Sequence, residues 1–238
     1  SLKDVVIEDR NEELTLGKAT SLFNSCPLDS VYIGGRISYY TDEKKKNYSP
    51  FYNNQTLRSV VITGQNSDIL PYDFYGCTNL KNVDIGNDAT TIGDWAFSGC
   101  STLESIAFGK KVKTIGSEAF SDCTALTTIV SKANTPPVCG SQALEDINKW
   151  ECMLIVPKGH VEDYQAADQW KDFFFIQESE FAEPDAGDID GDGVLSSEDV
   201  TLIIKALSGE QPDDFDEQDA DMNDDGVGNV ADLILLVN

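Results

Sequence analysis

A 23-residue periodicity is the feature that most constrains the fold of this 238-residue chain. Four leucines follow one another at steps of 23 residues: Leu57, Leu80, Leu103 and Leu126. Three further sets keep the same step: Ile69-Ile92-Ile115, Phe74-Phe97-Phe120 and Cys77-Cys100-Cys123. A copy this short cannot bury its apolar face alone, so the copies must stack into a solenoid with one continuous core.

Each copy combines a short strand with turns. Leu80, Val83 and Ile85 are predicted to lie on the inward side of the strand, with Asn82 and Asp84 pointing outward. The segment DWAFSGC after it is predicted to form a helical turn. A longer copy begins at residue 28, and residues 14–27 are predicted to form a degenerate first turn. Stacked copies predict an α/β solenoid with a mostly parallel β-sheet.

The end of the array is predicted to be a cap. A strand should end at Val156-Pro157, and residues 161–170 should form a short amphipathic helix. Four aromatic side chains are expected to cover the last open edge of the sheet: Tyr164, Trp170, Phe173 and Phe174.

The composition argues against several functions. The net charge of −25 opposes binding to nucleic acid or anionic membranes, and no apolar run is long enough for a transmembrane segment. The single histidine, His160, excludes a two-histidine catalytic site. The outward strand positions carry small side chains with no paired carboxylates. They are typical of a solvated sheet face, with a ligand site as the alternative, and we predict that the protein is not an enzyme.

One insert departs from the repeat. The copy at 28–56 carries a cluster of basic and aromatic residues: Tyr39, Tyr40, Lys44, Lys45, Lys46 and Tyr48. Loops that interrupt a regular scaffold often carry specificity. A solubilising loop tip is the alternative interpretation.

The six cysteines do not settle the redox compartment. Cys77, Cys100 and Cys123 are predicted to be buried thiols that pack like small apolar residues. Cys139 and Cys152 flank a 12-residue loop and could form a disulfide at the cap. Cys26 has no evident partner, so the pairing stays open.

The pattern LxxI…IGxxAFxxCxxL resembles the BspA-like leucine-rich repeats of bacterial surface proteins. The segment CMLIVPKGHVEDYQAADQWKDFFFI is similar to the one that ends such arrays. This resemblance covers about residues 14–176. It implies a non-catalytic recognition domain on the bacterial surface or outside the cell.

A change in charge marks a second domain. Residues 178–238 contain 19 acidic residues and one basic residue, Lys205. Within this region, DIDGDGVLSSED has the order of an EF-hand calcium loop, with a glycine at the sharp turn. A second loop, DMNDDGVGNVAD, begins 33 residues later. The predicted Ca²⁺ ligands of the two loops are Asp188, Asp190, Asp192, the Val194 carbonyl, Ser196, Asp199, Asp221, Asn223, Asp225, the Val227 carbonyl, Asn229 and Asp232.

Two such loops, each followed by one apolar helix, resemble a dockerin over about residues 187–238. Dockerins are calcium-dependent modules that bind cohesin domains. The resemblance implies a small all-α domain with two Ca²⁺ sites and a cohesin-like partner. In dockerins the partner is contacted by loop positions 10 and 11 and by the adjoining helix. The resemblance therefore implies these partner-binding residues: Ser197, Glu198, Val200, Lys205, Val230 and Ala231.

These observations predict three segments: a leucine-rich-repeat solenoid at 1–177, a linker at 178–186 and a dockerin-like module at 187–238. The predicted function is adhesin-like binding at the cell surface or outside the cell, with an unknown protein or glycan as the ligand of the solenoid. Two alternatives remain. The protein could be a structural accessory subunit of a secreted polysaccharide-degrading complex, or the C-terminal module could be stabilised by calcium without any docking role.

Overall fold

The structure is a computed structural model that describes residues 2–7, 14–16, 22–35, 37–39, 49–63, 68–181 and 202. The chain divides into two compact units, Ser1–Glu180 and Phe181–Asn238. The first unit contains thirteen strands and one helix among its described residues. In chain order these are β1 (Asp4–Ile7), β2 (Leu14–Thr15), β3 (Ser30–Ile33), β4 (Ile37–Ser38), β5 (Ser59–Ile62), β6 (Asn82–Ile85), β7 (Thr91–Ile92), β8 (Ser105–Phe108), β9 (Thr114–Ile115), β10 (Thr128–Ser131), β11 (Val138–Cys139), β12 (Met153–Pro157), α1 (Val161–Ala166) and β13 (Phe175–Ser179).

The first unit is a solenoid built on a parallel sheet. Eight strands pair in the order β1-β3-β5-β6-β8-β10-β12-β13, and every pairing in this sheet is parallel. A second ribbon runs along the coils as the three-stranded sheet β11-β9-β7 and the separate pair β2-β4. The parallel-sheet solenoid predicted from the period is confirmed. The described solenoid begins at β1, ahead of the degenerate turn that the sequence placed first.

The periodic residues form columns in the core. The leucines, isoleucines, phenylalanines and cysteines of the four 23-residue sets are all at most 2 % exposed. Val83 and Ile85 are buried on the inner face of β6, Leu80 is buried just before the strand, and Asn82 and Asp84 are exposed on the outer face. These inward and outward assignments are confirmed.

The segment DWAFSGC does not form an α-helix, which corrects the prediction of a helical turn. Trp95 and Gly99 have positive φ angles of 54° and 79°, and left-handed residues interrupt a right-handed helix. The amides of Trp95, Phe97 and Gly99 donate to carbonyls of the next coil over 2.8–3.0 Å. Their N–H groups therefore link neighbouring coils, whereas the alternate amides of Ala96, Ser98 and Cys100 close single turns to carbonyls three residues earlier over 3.0–3.3 Å.

The C-terminal cap departs from its prediction in two respects, the length of the helix and the position of Phe174. β12 ends at Pro157, and α1 begins at Val161 but ends at Ala166, before the predicted residue 170. Tyr164, Trp170 and Phe173 are buried. Phe174, in contrast, is 62 % exposed and does not cover the core. Among the described residues, no helix is long or apolar enough to cross a bilayer.

Candidate binding surfaces of the solenoid

The outer face of the eight-stranded sheet carries two rows of mostly small side chains, one polar and one largely apolar; the second row is Val61, Asp84, Ala107 and Val130. The polar row runs in register across four neighbouring strands, β5, β6, β8 and β10. Its residues are Ser59, Asn82, Ser105 and Thr128. The Ser105 hydroxyl donates to Oδ1 of Asn82 over 2.8 Å, so these side chains partly satisfy one another. This part of the face has the character of a solvated surface.

The character changes at the C-terminal end of the sheet. Trp150, Met153, Phe174 and Phe175 are exposed there, and we call these four residues the aromatic patch. Met153 and Phe175 are neighbours in register on β12 and β13. The Trp150 and Phe174 rings have centroids 5.0 Å apart, and those of Phe174 and Phe175 are 4.9 Å apart. Exposed apolar clusters on soluble proteins often mark interaction sites.

The backbone fixes the positions of the patch residues. The Phe174 amide donates to the Lys149 carbonyl over 2.9 Å, which places the turn containing Trp150 beside the start of β13. Along β13 the side chains alternate, so Ile176 packs against the core while Phe175 points outward. The sequence analysis missed this patch because it assigned Phe174 to the cap. The alternation of Phe175 and Ile176 is the signal that could have revealed it.

A second feature lies beside the insert. Asp73 is half-buried, its Oδ1 accepts a hydrogen bond from the Tyr39 hydroxyl, and its Oδ2 accepts one from the Leu70 amide over 2.8 Å. Burial raises the pKa of Asp73 to about 7, although both hydrogen bonds lower it. Burial, together with the Asp73 charge, also raises the pKa of Tyr39.

The Tyr39–Asp73 pair borders a small cleft that is partly open to solvent. Its apolar walls include Ile33, Ile37, Ile62 and Ile69. The second ribbon is interrupted here, because Ile69 pairs with Ile92 while β4 pairs only with β2 among the described strands. In the 23-residue period, Asp73 takes the place of the buried Ala96 and Ala119. This departure from the repeat could have identified the site from sequence.

The predicted cluster in the insert is only partly described. Tyr39 lies beside the cleft, whereas Tyr40, Lys44, Lys45, Lys46 and Tyr48 lie outside the described residues.

The cysteine column is structural. The Cys77, Cys100 and Cys123 thiols are buried and donate to the carbonyls of Phe51, Phe74 and Phe97 over 3.2–3.3 Å. Burial raises the pKa of each thiol, so none is an activated nucleophile. Cys139 and Cys152 are also free, and no disulfide joins them at the cap.

The predicted calcium and partner sites lie outside the described residues. These are the twelve loop ligands between Asp188 and Asp232 and the residues Ser197, Glu198, Val200, Lys205, Val230 and Ala231. Within the described part of the chain, no group of three or more His, Cys, Asp or Glu residues could hold a metal ion. The calcium sites therefore stay predictions from the loop pattern.

Comparison with protein families places one match on each part of the chain. The BspA type leucine rich repeat region, in six copies, matches residues 44–150. The dockerin type I domain matches residues 186–238. Both matches fall on the segments that resemble these families in sequence, so both resemblances are confirmed.

A search of solved structures gives a similar result. A leucine-rich repeat protein from Bacteroides ovatus ATCC 8483 is 28 % identical to this chain, with a TM-score of 0.51. The alignment covers 76 % of this chain and 43 % of that protein, so the chain spans less than half of its length. No curated protein matches the chain.

Proposed function

We propose that this chain, which carries a BspA-type leucine-rich repeat region and a dockerin type I domain, is a non-catalytic extracellular or surface-attached binding protein. In this proposal the solenoid recognises a ligand, and the C-terminal module anchors the protein to a cohesin-like partner when calcium is bound. The observation that carries the proposal is the union of the two modules in one chain. Neither family is catalytic, and both are typical of extracellular or surface proteins.

The described residues of the solenoid support recognition rather than chemistry. Their ionisable groups with a pKa raised by burial include the cysteines of the core, Tyr164 of the cap and the Tyr39–Asp73 pair. Tyr164 bonds to Ser131 and to the Ala133 carbonyl inside the core, so it is not available to a substrate. The described hydroxyls that donate to carboxylates, such as Ser30 to Asp4 and Ser121 to Asp146, lie exposed on the surface. The aromatic patch, in contrast, offers contact area for a partner.

Calcium explains how the acidic C-terminal region could dock. Dockerin type I domains typically bind calcium and generally bind cohesins. The two predicted loops carry their carboxylates at the spacing of EF-hand ligands, and bound ions would offset the local excess of negative charge. We propose two Ca²⁺ sites, formed by the loops that start at Asp188 and Asp221. The docking surface would be formed by Ser197, Glu198, Val200, Lys205, Val230 and Ala231.

Capture of purified cohesin domains by the immobilised full-length chain tests the proposal. Capture is expected with millimolar calcium and should be lost when a chelator replaces it. An Asp188→Ala, Asp221→Ala double variant should fail in both conditions. If no cohesin of a diverse panel binds in calcium while the chain takes up two ions, the module is stabilised by calcium and has no docking role of this kind.

A second experiment separates the adhesin-like role from membership of a polysaccharide-degrading complex. Cohesin-bearing scaffold proteins and host-cell extracellular matrix proteins are presented in parallel to the calcium-loaded chain. Matrix binding that survives deletion of residues 181–238 supports recognition by the solenoid. Binding to the scaffold alone, without any matrix protein or glycan, favours the accessory subunit.

A further inference from the structure

We propose that the aromatic patch and the edge of β13 that no described strand covers together bind an extended segment of a partner protein, one with apolar side chains flanked by lysine or arginine. This inference rests on the proposed recognition function of the solenoid and assigns it a site. The patch residues Trp150, Phe174 and Phe175 are 71 %, 62 % and 50 % exposed, and Met153 is 38 % exposed. Aromatic residues and methionine are enriched in the buried centres of protein interfaces.

The edge of β13 supplies the backbone part of the site. β13 is the last strand of the eight-stranded sheet, and no other described strand pairs with its outer side. The Ser179 carbonyl accepts from the Lys158 amide, so Ser179 faces β12. Because successive residues alternate, the N–H and C=O groups of Ile176 and Glu178 face the open side. An incoming strand can pair with these groups and extend the sheet.

The charge around the patch indicates the chemistry of the partner. The side chains of Glu151, Asp172, Glu178 and Glu180 are exposed. The nearby ammonium groups are those of Lys149, Lys158 and Lys171, which are paired with Asp172, Glu180 and Asp168. Glu151 and Glu178 are left without a lysine partner among these pairs. The rim therefore keeps an excess of negative charge, which attracts lysine or arginine and steers a basic segment to the patch. The same excess opposes a second copy of this acidic chain.

The ring geometry favours a polypeptide over a glycan. The Trp150 and Phe174 planes are inclined by 30°, and those of Phe174 and Phe175 by 87°. Successive sugar rings of a glycan stack their C–H faces on aromatic faces that lie in one plane, which these inclined rings do not offer. An aliphatic side chain needs no common plane and can contact all three rings. An extended strand carries alternate side chains on one face, so one of them can enter the patch while the backbone follows β13.

Synthetic eleven-residue peptides test the inference with the full chain at physiological salt. The probe alternates valine with lysine. One control peptide alternates serine with lysine, which keeps the charge, and another alternates valine with glutamate. We expect the valine–lysine peptide to bind at least about tenfold more tightly than either control. It should also protect Trp150 from acrylamide quenching. Trp170 is fully buried and responds little, and Trp95 is half-buried outside the patch, so Trp150→Ala measures the background from these two residues.

Matched variants locate the binding. Trp150→Ala and Phe174→Ser should each weaken the peptide at least about tenfold, as expected for central aromatic contacts. Val138→Ser changes a valine that is 71 % exposed on β11, outside the patch, and should have no effect. Glu178→Pro removes an N–H group from the open edge and should weaken binding, whereas Glu178→Ala, which keeps that group, should weaken it less.

Several results would overturn the inference. Equal binding of the serine–lysine peptide would show attraction by charge alone, and unchanged binding by Trp150→Ala would place the site elsewhere. If cellohexaose protects Trp150 and the peptide does not, the patch binds a glycan. If Trp150 is protected by self-association, which sedimentation would detect, the patch binds a second copy of the chain. Peptide binding should not need calcium. Failure of calcium-dependent docking with peptide binding intact therefore overturns only the proposed docking.

Discussion

The side chains of Phe97 and Phe120 stack in parallel, with ring centroids 5.4 Å apart and planes inclined by 3°. The same spacing continues through Phe74 and Phe51, and Phe23 lies 5.3 Å beyond Phe51. Because each coil contributes one ring, the column crosses the coils and contacts neighbouring copies only. The column therefore couples the stability of each coil to that of the next.

Phe97→Ala should lower the free energy of unfolding by about 3–5 kcal/mol, since it leaves a cavity between two rings. Hydrogen exchange should show the loss of protection first in the coils next to residue 97. Phe174→Ala is the control, because that ring is largely exposed, and it should change stability by less than about 1 kcal/mol. A loss below about 1 kcal/mol for Phe97→Ala would contradict the core assignment.

Gly116→Ala should destabilise the solenoid through backbone overlap. A Cβ at Gly116 would lie 2.4 Å from the Asp94 amide nitrogen and 2.6 Å from the Gly93 carbonyl carbon. Neither atom can move without shifting a coil, so we expect a cost of about 3 kcal/mol or more. At Gly159 a Cβ meets nothing within 4 Å, but φ is +82°. Gly159→Ala should therefore cost only about 1–2 kcal/mol. Denaturant unfolding of both variants compares steric overlap with backbone strain, and equal costs would refute the close-approach argument.

Sequence analysis predicted the features that recur every 23 residues and missed those that depart from the repeat. The buried columns follow from residues that recur every 23 positions, because each must meet the same environment in every coil. The contact between Tyr39 and Asp73 joins an irregular insert to one coil across 34 residues. The repeat pattern therefore does not predict that these two side chains meet. The assignment of Phe174 to the cap was wrong because adjacent aromatic residues at the start of a strand face opposite directions. The sequence alone did not show which of them faces the core.

The prediction of a helical turn for the segment DWAFSGC was wrong for a different reason. The segment around Trp95 and Phe97 has the apolar spacing of a helix, but every second amide, those of Trp95, Phe97 and Gly99, bonds to the next coil. Neighbouring coils compete for the same N–H groups, and tertiary contact overrides local preference. The positive φ of Trp95 follows from that bonding and is not visible in the residue type.

The stability of the solenoid should depend on pH through Asp73. Burial raises the pKa of this carboxyl to about 7 in the folded protein, against an ordinary value near 3.8. The folded state thus holds the proton more tightly than the unfolded state, and the stabilisation is fully present below about pH 4. It is lost as pH rises to about 7, by an amount on the order of 1–4 kcal/mol. Urea unfolding from pH 4 to pH 8 measures the decline.

Two variants isolate this effect. Asp73→Asn keeps the shape but cannot ionise, so the difference from the native protein should vary with pH over the same window. Tyr39→Phe removes a hydrogen bond that lowers the Asp73 pKa, so the decline should move to higher pH. If the native protein and Asp73→Asn have parallel pH profiles, Asp73 does not titrate in this range.

Calcium should stabilise the C-terminal module more than the solenoid. Two bound ions would add four positive charges to a region with 19 acidic residues and one basic residue. At about 100 times the dissociation constant, each site should add about 2.7 kcal/mol. Calorimetric titration of the chelator-treated full chain should show two sites, and scanning calorimetry should show one transition that shifts with calcium. An unchanged thermogram would argue against calcium-dependent folding.

Partner capture should depend on the residues predicted at the rims of the two calcium loops. Asp199 and Asp232 are the predicted position-12 ligands, so calcium would order the adjacent Glu198 and Ala231, and little entropy would be lost on binding. Glu198→Lys reverses a charge, and Ala231→Asp places a carboxylate in an apolar contact. Each should weaken cohesin capture about tenfold or more, while the calcium affinity measured by titration stays the same. Glu210→Lys, which makes the same charge change outside both loops, is the control. If both rim variants capture cohesin as well as the native chain, the docking surface lies elsewhere on the module.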